Sequence, residues 1–128
     1  MQKIYLIIGT LLAGLAVALG AFGAHGLKKI VSPENVATYQ TGVQYQMYHA
    51  LALILLGILS ERIYNGFVSY AGVLFVAGVI LFSGSLYLIV SMNAMNKTIP
   101  TAVGILTPVG GLFFILGWLC LLVGLLKK

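Results

Sequence analysis

This chain has no aspartate and only two glutamates, Glu34 and Glu61, in 128 residues. Both glutamates fall between long apolar blocks, so no carboxylate lies inside one. That removes the acid a serine–histidine pair needs to orient its imidazole. It also removes the intramembrane carboxylate that proton-coupled exporters of this size generally use. Charged residues make up 7% of the chain, where a soluble domain carries about a quarter. The one cysteine, Cys120, cannot form an internal disulfide, and within an apolar run it behaves as a small hydrophobe. The seven basic residues are scattered over termini and loops. The net charge of +5 therefore forms no patch for nucleic acid and suits anionic lipid head groups instead.

Long apolar blocks are what the chain does have. Ile4–Ala24, Val43–Leu59, Phe67–Met92 and Ala102–Leu126 each reach or approach the length needed to cross a hydrocarbon core of about 30 Å. None alternates as a barrel strand would. The expected fold is an all-α membrane protein: a four-transmembrane-helix antiparallel bundle forming a single domain over 1–128. The spans are expected at about 4–26, 43–60, 67–92 and 101–126. Lys3 and the small residues at 18–24 resemble a signal peptide, but the apolar run exceeds the usual 7–15 residues, roughly, of such a segment. A retained first helix is expected.

Ser32-Pro33-Glu34 is a helix start: a capping hydroxyl, a proline where no N–H is needed, and an acid at the positive dipole end. From there a helix of roughly 42 Å runs to Ser60, longer than the core is thick. Its first part, 33–42, is amphipathic and is expected to extend the second span along the interface, with a kink or tilt at membrane entry. Lys3, Arg62, Lys127 and Lys128 fall on the surface holding both termini, and Lys28, Lys29 and Lys97 fall opposite. Four against three favours cytoplasmic termini in the cell membrane.

Small residues recur seven apart: Gly9, Ala16 and Gly23; Ala50 and Gly57; Ala71, Gly78 and Ser85; Gly110, Gly117 and Gly124. Such a repeat keeps one seam facing a partner helix, and small side chains let backbones approach where lipid supplies no hydrophobic drive. Gly20 joins Ala16 and Ala24 in a second track on the first helix.

The polar membrane residues form a candidate layer or ligand pocket. His25 ends the first span, and His49 lies roughly 9 Å into the second. Ser83 and Ser85 lie roughly 10–14 Å into the third, and Thr107-Pro108 roughly 8–9 Å into the fourth. Gln44, Tyr45, Gln46 and Tyr87 are close in depth. The layer is expected in the membrane half nearer the first and third loops. His49 is expected to bond Ser83, Tyr87 or Gln46. Pro108 removes a backbone donor, and Gly110-Gly111 beyond it invites distortion and close approach.

Four stretches carry a family resemblance: Gly20-Ala-Phe-Gly-Ala-His-Gly-Leu27, Gly42-Val-Gln-Tyr-Gln-Met-Tyr-His-Ala-Leu51, Leu81-Phe-Ser-Gly-Ser-Leu-Tyr-Leu88, and Thr107-Pro-Val-Gly-Gly-Leu112 with Gly117-Trp118. In this order they resemble the bacterial family called domain of unknown function 423, to which eukaryotic transmembrane protein 256 is similar. The resemblance implies a small multi-pass inner or plasma membrane protein and no particular activity. The residues themselves favour a non-enzymatic bundle that supports membrane integrity or binds a lipid or partner protein. No catalytic residue, metal or cofactor is expected. The expected partners are membrane lipids, further copies of the chain or another membrane protein, and no nucleic acid. The alternative is a transporter or channel titrating His25 and His49. A haem or quinone site using both histidines is the remaining reading.

Overall fold

A computed structural model describes residues 3–127. Its elements are α1 (Lys3–His25), a 3-10 turn (Leu27–Lys29), α2 (Pro33–Leu59), α3 (Gly66–Gly78), a π-helical segment (Val79–Ser83), α4 (Gly84–Ala94) and α5 (Thr101–Leu126). α3, the π segment and α4 form one continuous third span, Gly66–Ala94. Four helices are therefore long and apolar enough to cross a membrane, and no strand occurs among the described residues.

The helix ends follow from local chemistry. Ser32 Oγ accepts from the Asn35 N–H, with Pro33 in the first turn. Asn65 Oδ1 accepts from the Val68 N–H at the start of α3, while its amide donates to the Gly124 carbonyl on α5. The third span closes on Asn96, whose φ of 57° lies in the left-handed region that asparagine tolerates. The Lys97 N–H returns to the Met92 carbonyl and the Asn96 N–H to that of Asn93. This is the Schellman pattern, and it satisfies carbonyls the ended helix leaves over.

Neighbouring spans are antiparallel. On α1, Gly9 faces Ala50 and Gly23 faces Tyr39. On α2, Gly42 meets Leu86 and Tyr87 of α4. On α5, Gly110, Gly117 and Gly124 meet Phe82, Phe75 and Val68 in turn. α1 packs chiefly on α2, and α5 chiefly on α3 and the π segment, so α2 and the third span form the centre. A Cβ on Gly9 would lie 2.6 Å from the Ala50 carbonyl oxygen, and one on Gly110 would overlap the backbone of Phe82. At these two points helix backbones touch, which maximises dispersion contact between surfaces that lipid would otherwise wet equally well. Gly9, Ala16, Gly23, Ala50, Gly57, Gly78, Gly110, Gly117 and Gly124 are all buried, and Gly20 is half-buried against Val43.

The backbone irregularity lies elsewhere than Pro108 suggests. α5 stays helical through Pro108 and Gly110-Gly111. The departure from α geometry is the π segment of the facing span, against which Gly110 closes. α2 shows no comparable break over its 27 residues.

Candidate functional site

Inside the bundle, polar side chains are tied to backbone carbonyls and to one another. Gln46 is 2% exposed. Its amide donates to the Leu12 carbonyl at 2.8 Å, and its oxygen accepts from the Tyr87 hydroxyl at 2.7 Å. One side chain of α2 thus links α1 and α4. Ser83 donates to the Gly42 carbonyl at 2.6 Å, a further tie between the third span and α2. Ser85 donates its only proton to the Phe82 carbonyl at 2.8 Å, so Thr107, 2.5 Å away, donates to Ser85. Asn93 donates to the Asn35 side chain at 2.8 Å near the first loop. No buried side-chain nitrogen or oxygen among the described residues lacks a partner.

His49 belongs to a second arrangement. It is 4% exposed, and its ring lies face to face on Phe114, centroids 3.6 Å apart with 6° between planes. The Trp118 indole N–H lies 3.0 Å from His49 Nε2 and can only donate. Nε2 is therefore the acceptor, and the ring proton sits on Nδ1, which donates to the Tyr45 carbonyl at 2.8 Å. Both nitrogens are occupied within a single neutral tautomer. Phe75 sits beneath, 5.2 Å from the imidazole and 4.7 Å from the indole.

These rings floor a groove of about 560 Å³. Tyr45 and His49 of α2, Phe82 of the third span, and Pro108, Gly111, Leu112, Phe114, Ile115 and Trp118 of α5 line it. That volume falls within the usual range of ligand sites, roughly 300–1,000 Å³. Leu112 and Ile115 are exposed at its outer wall and the Trp118 ring is itself part-exposed, so it opens sideways from the bundle. Pro108, the first α5 residue of the lining, bounds one end.

The sequence-derived residues divide between these arrangements. Gln46, Ser83, Ser85, Tyr87 and Thr107 join the interior bonds, and Tyr45, His49 and Pro108 line the groove. His25 is exposed at the end of α1 and Gln44 is exposed on the outside of α2, apart from both. His49 bonds none of Ser83, Tyr87 or Gln46; its partners are Tyr45 and Trp118. Because α2 is one helix from Pro33, its midpoint is Gln46, and His49 lies about 5 Å beyond it. Along α2 the polar ties thus reach the middle of the helix and a little past it. The α1–α2 register puts His25 level with residues near 36, about 20 Å from His49 along the helix axis, too far for both rings to face one iron.

Sequence reasoning missed Trp118 and Phe114. An indole N–H in an apolar helix needs an acceptor, and the chain's only tryptophan was a signal for this. No group of three or more metal-binding side chains occurs among the described residues.

A small helical membrane protein with a lateral groove is the class these features define. The chain belongs to the family described as "Protein of unknown function (DUF423)", whose model matches residues 19–111. It is 42% identical to the "UPF0382 membrane protein YwdK" of Bacillus subtilis (strain 168), over 98% of both chains. It is 42% identical to the "UPF0382 membrane protein SAB0533" of Staphylococcus aureus and 41% identical to "UPF0382 membrane protein SH2409" of Staphylococcus haemolyticus, again over 98% of each chain. No solved structure matches.

Proposed function

We propose that this membrane protein is a non-enzymatic bundle that holds the apolar chain of a lipid in the groove floored by His49, Phe114 and Trp118. The observation that carries this reading is the groove itself: a ligand-sized recess, walled by aromatic and aliphatic side chains, open to the side where hydrocarbon lies. The ring nitrogens of His49 and Trp118 are already paired, which suits a guest that needs shape and dispersion contact more than hydrogen bonds to them. Supporting the membrane through bound lipid follows from that role. The interior, with its buried polar atoms satisfied, offers less to a transported ion. A relay between His25 and His49 has the further difficulty of their separation along the bundle.

Gly111 supplies the test. A Cβ there meets only the Phe82 ring edge at 3.8 Å, so a larger side chain enters the groove without straining the fold. The parent protein, released gently from detergent, is expected to retain lipid by native mass spectrometry, and Gly111→Leu to lose most of it at unchanged melting temperature. Equal retention by both, or none by the parent, rejects the reading. Cell-membrane residence with both termini cytoplasmic completes the proposal, on the charge distribution. A membrane-impermeant thiol label is expected to reach Lys97→Cys from outside intact cells; labelling only after permeabilisation reverses the orientation.

A further inference from the structure

α2 carries a polar group that its own bundle does not use. Gln44 is two residues from the midpoint of α2, about 3 Å, and is exposed. Tyr45 beside it packs on Phe82 and Phe114, both near the middle of their own helices, so Gln44 is level with the middle of the bundle. Among the described residues the Gln44 amide has no hydrogen-bond partner. Thr10, also exposed, is different, since its hydroxyl bonds back to the Leu6 carbonyl. With the bundle centred in the bilayer, an exposed amide at this height meets hydrocarbon and no water, so its two donors and carbonyl need a polar partner from outside the bundle.

Gln44 also lies on a seam. Gln44, Tyr48, Leu51, Leu55 and Ile58 are spaced four, three, four and three residues apart, and all are exposed. This is the spacing by which two parallel helices pack along their length. The exposed faces of α1 and α5 at the same height, such as Leu11, Leu15, Ile115 and Leu119, are apolar and suited to lipid.

We infer that α2 is the self-association face of this protein, and that the occupant of the seam is α2 of a second copy. The symmetry selects this occupant. Copies inserted in one orientation pair about a two-fold axis along the membrane normal, so their α2 helices run parallel and each residue on the axis meets its own counterpart. A primary amide is self-complementary: each Gln44 donates to the carbonyl of the other. A polar residue at one seam position also sets the register of the pair, as it does in coiled coils. The dimer brings Tyr48 beside the axis, and Tyr48 stacks edge-on to Tyr45, a groove residue, so each groove opens next to the interface.

The test uses the full chain in vesicles of phosphatidylethanolamine and phosphatidylglycerol, with Cys120→Ala to remove the native thiol. Single cysteines are placed on the seam (Gln44→Cys, Leu51→Cys, Ile58→Cys) and on the outer faces of α1 and α5 (Leu15→Cys, Leu119→Cys). Oxidation is expected to yield covalent homodimer from the seam positions and monomer from the other two. Separately, energy transfer between labelled copies on dilution into excess lipid is expected to show Gln44→Leu associating about three- to tenfold more weakly than the parent. Gln44→Asn, which keeps an amide, is expected to recover most of that loss. Seam cysteines that stay monomeric, cross-linking equal at Leu15 or Leu119, or unchanged association of Gln44→Leu each overturn the inference. So does transfer that persists only with a different membrane protein present, which would make the occupant a heterologous partner.

Discussion

Gln46 and the His49–Trp118 pair illustrate what a single residue does in this bundle. Gln46→Leu removes two bonds at once and leaves the Tyr87 hydroxyl unpaired in a dry interior, while the Leu12 carbonyl keeps only its bond within α1. Bonds between membrane helices contribute about 0.6 kcal/mol on average and up to about 1.7. A loss of about 1–3 kcal/mol in unfolding free energy is therefore expected, read by denaturant titration in mixed micelles. Trp118→Phe leaves His49 Nε2 without its donor, and His49→Phe leaves the indole without its acceptor. Each is expected to destabilise by about 1–2 kcal/mol. The double variant is expected to lose less than the sum, because the two share one bond. Strict additivity would show that the indole and imidazole are not coupled. That Gln46 and His49 needed partners was legible in the sequence, since both are polar within an apolar run. Which partners they have was not: Leu12 and Trp118 lie 34 and 69 residues away in the chain, and two of the four bonds end on backbone carbonyls that no side-chain pattern reveals.

Among the helices, close approach is concentrated where small residues meet backbone. Gly110→Ala is expected to force α5 away from the π segment and lower stability by about 1–3 kcal/mol, the usual cost of overpacking. Gly14→Ala and Gly104→Ala, whose added methyls meet no other atom within 4 Å, are expected to be neutral or mildly stabilising, since alanine is the better helix former. Melting temperatures of the three variants in one detergent would separate the effects; a neutral Gly110→Ala would rule out tight contact there. The seven-residue spacing of small residues could be read directly, because one helix face repeats nearly every seven positions. The π segment could not. Val79–Ser83 is an ordinary apolar stretch, and the proline and paired glycines that attract attention lie on the facing helix. The irregularity belongs to the contact between two spans, so neither sequence segment displays it alone.

In the whole molecule, two inner spans support two outer ones. α2 and the third span hold most of the buried side chains, including Leu53, Leu56, Val68 and Phe75, while α1 and α5 present broad apolar faces outward. In that layout the groove lies beside α5 and the exposed stripe runs along α2, and these are the two surfaces on which the proposed lipid and the proposed second copy are tested. Lipid retention by the groove and cross-linking along the seam can succeed or fail independently, since Gly111 and Gln44 lie on different helices and touch different surroundings. Length, apolarity and the scarcity of acids determined by themselves that this chain is a four-helix membrane protein, because hydrocarbon admits only helices and closed barrels, and these long blocks do not alternate as barrel strands do. The capping residues likewise determined where α2 starts, through contacts a few residues apart. Tertiary structure alone decided that His25 stands apart from His49, that an indole completes the imidazole's bonding, and that Gln44 faces outward. Those outcomes depend on the rotation and register of helices against one another, which are set by the summed packing of all four spans.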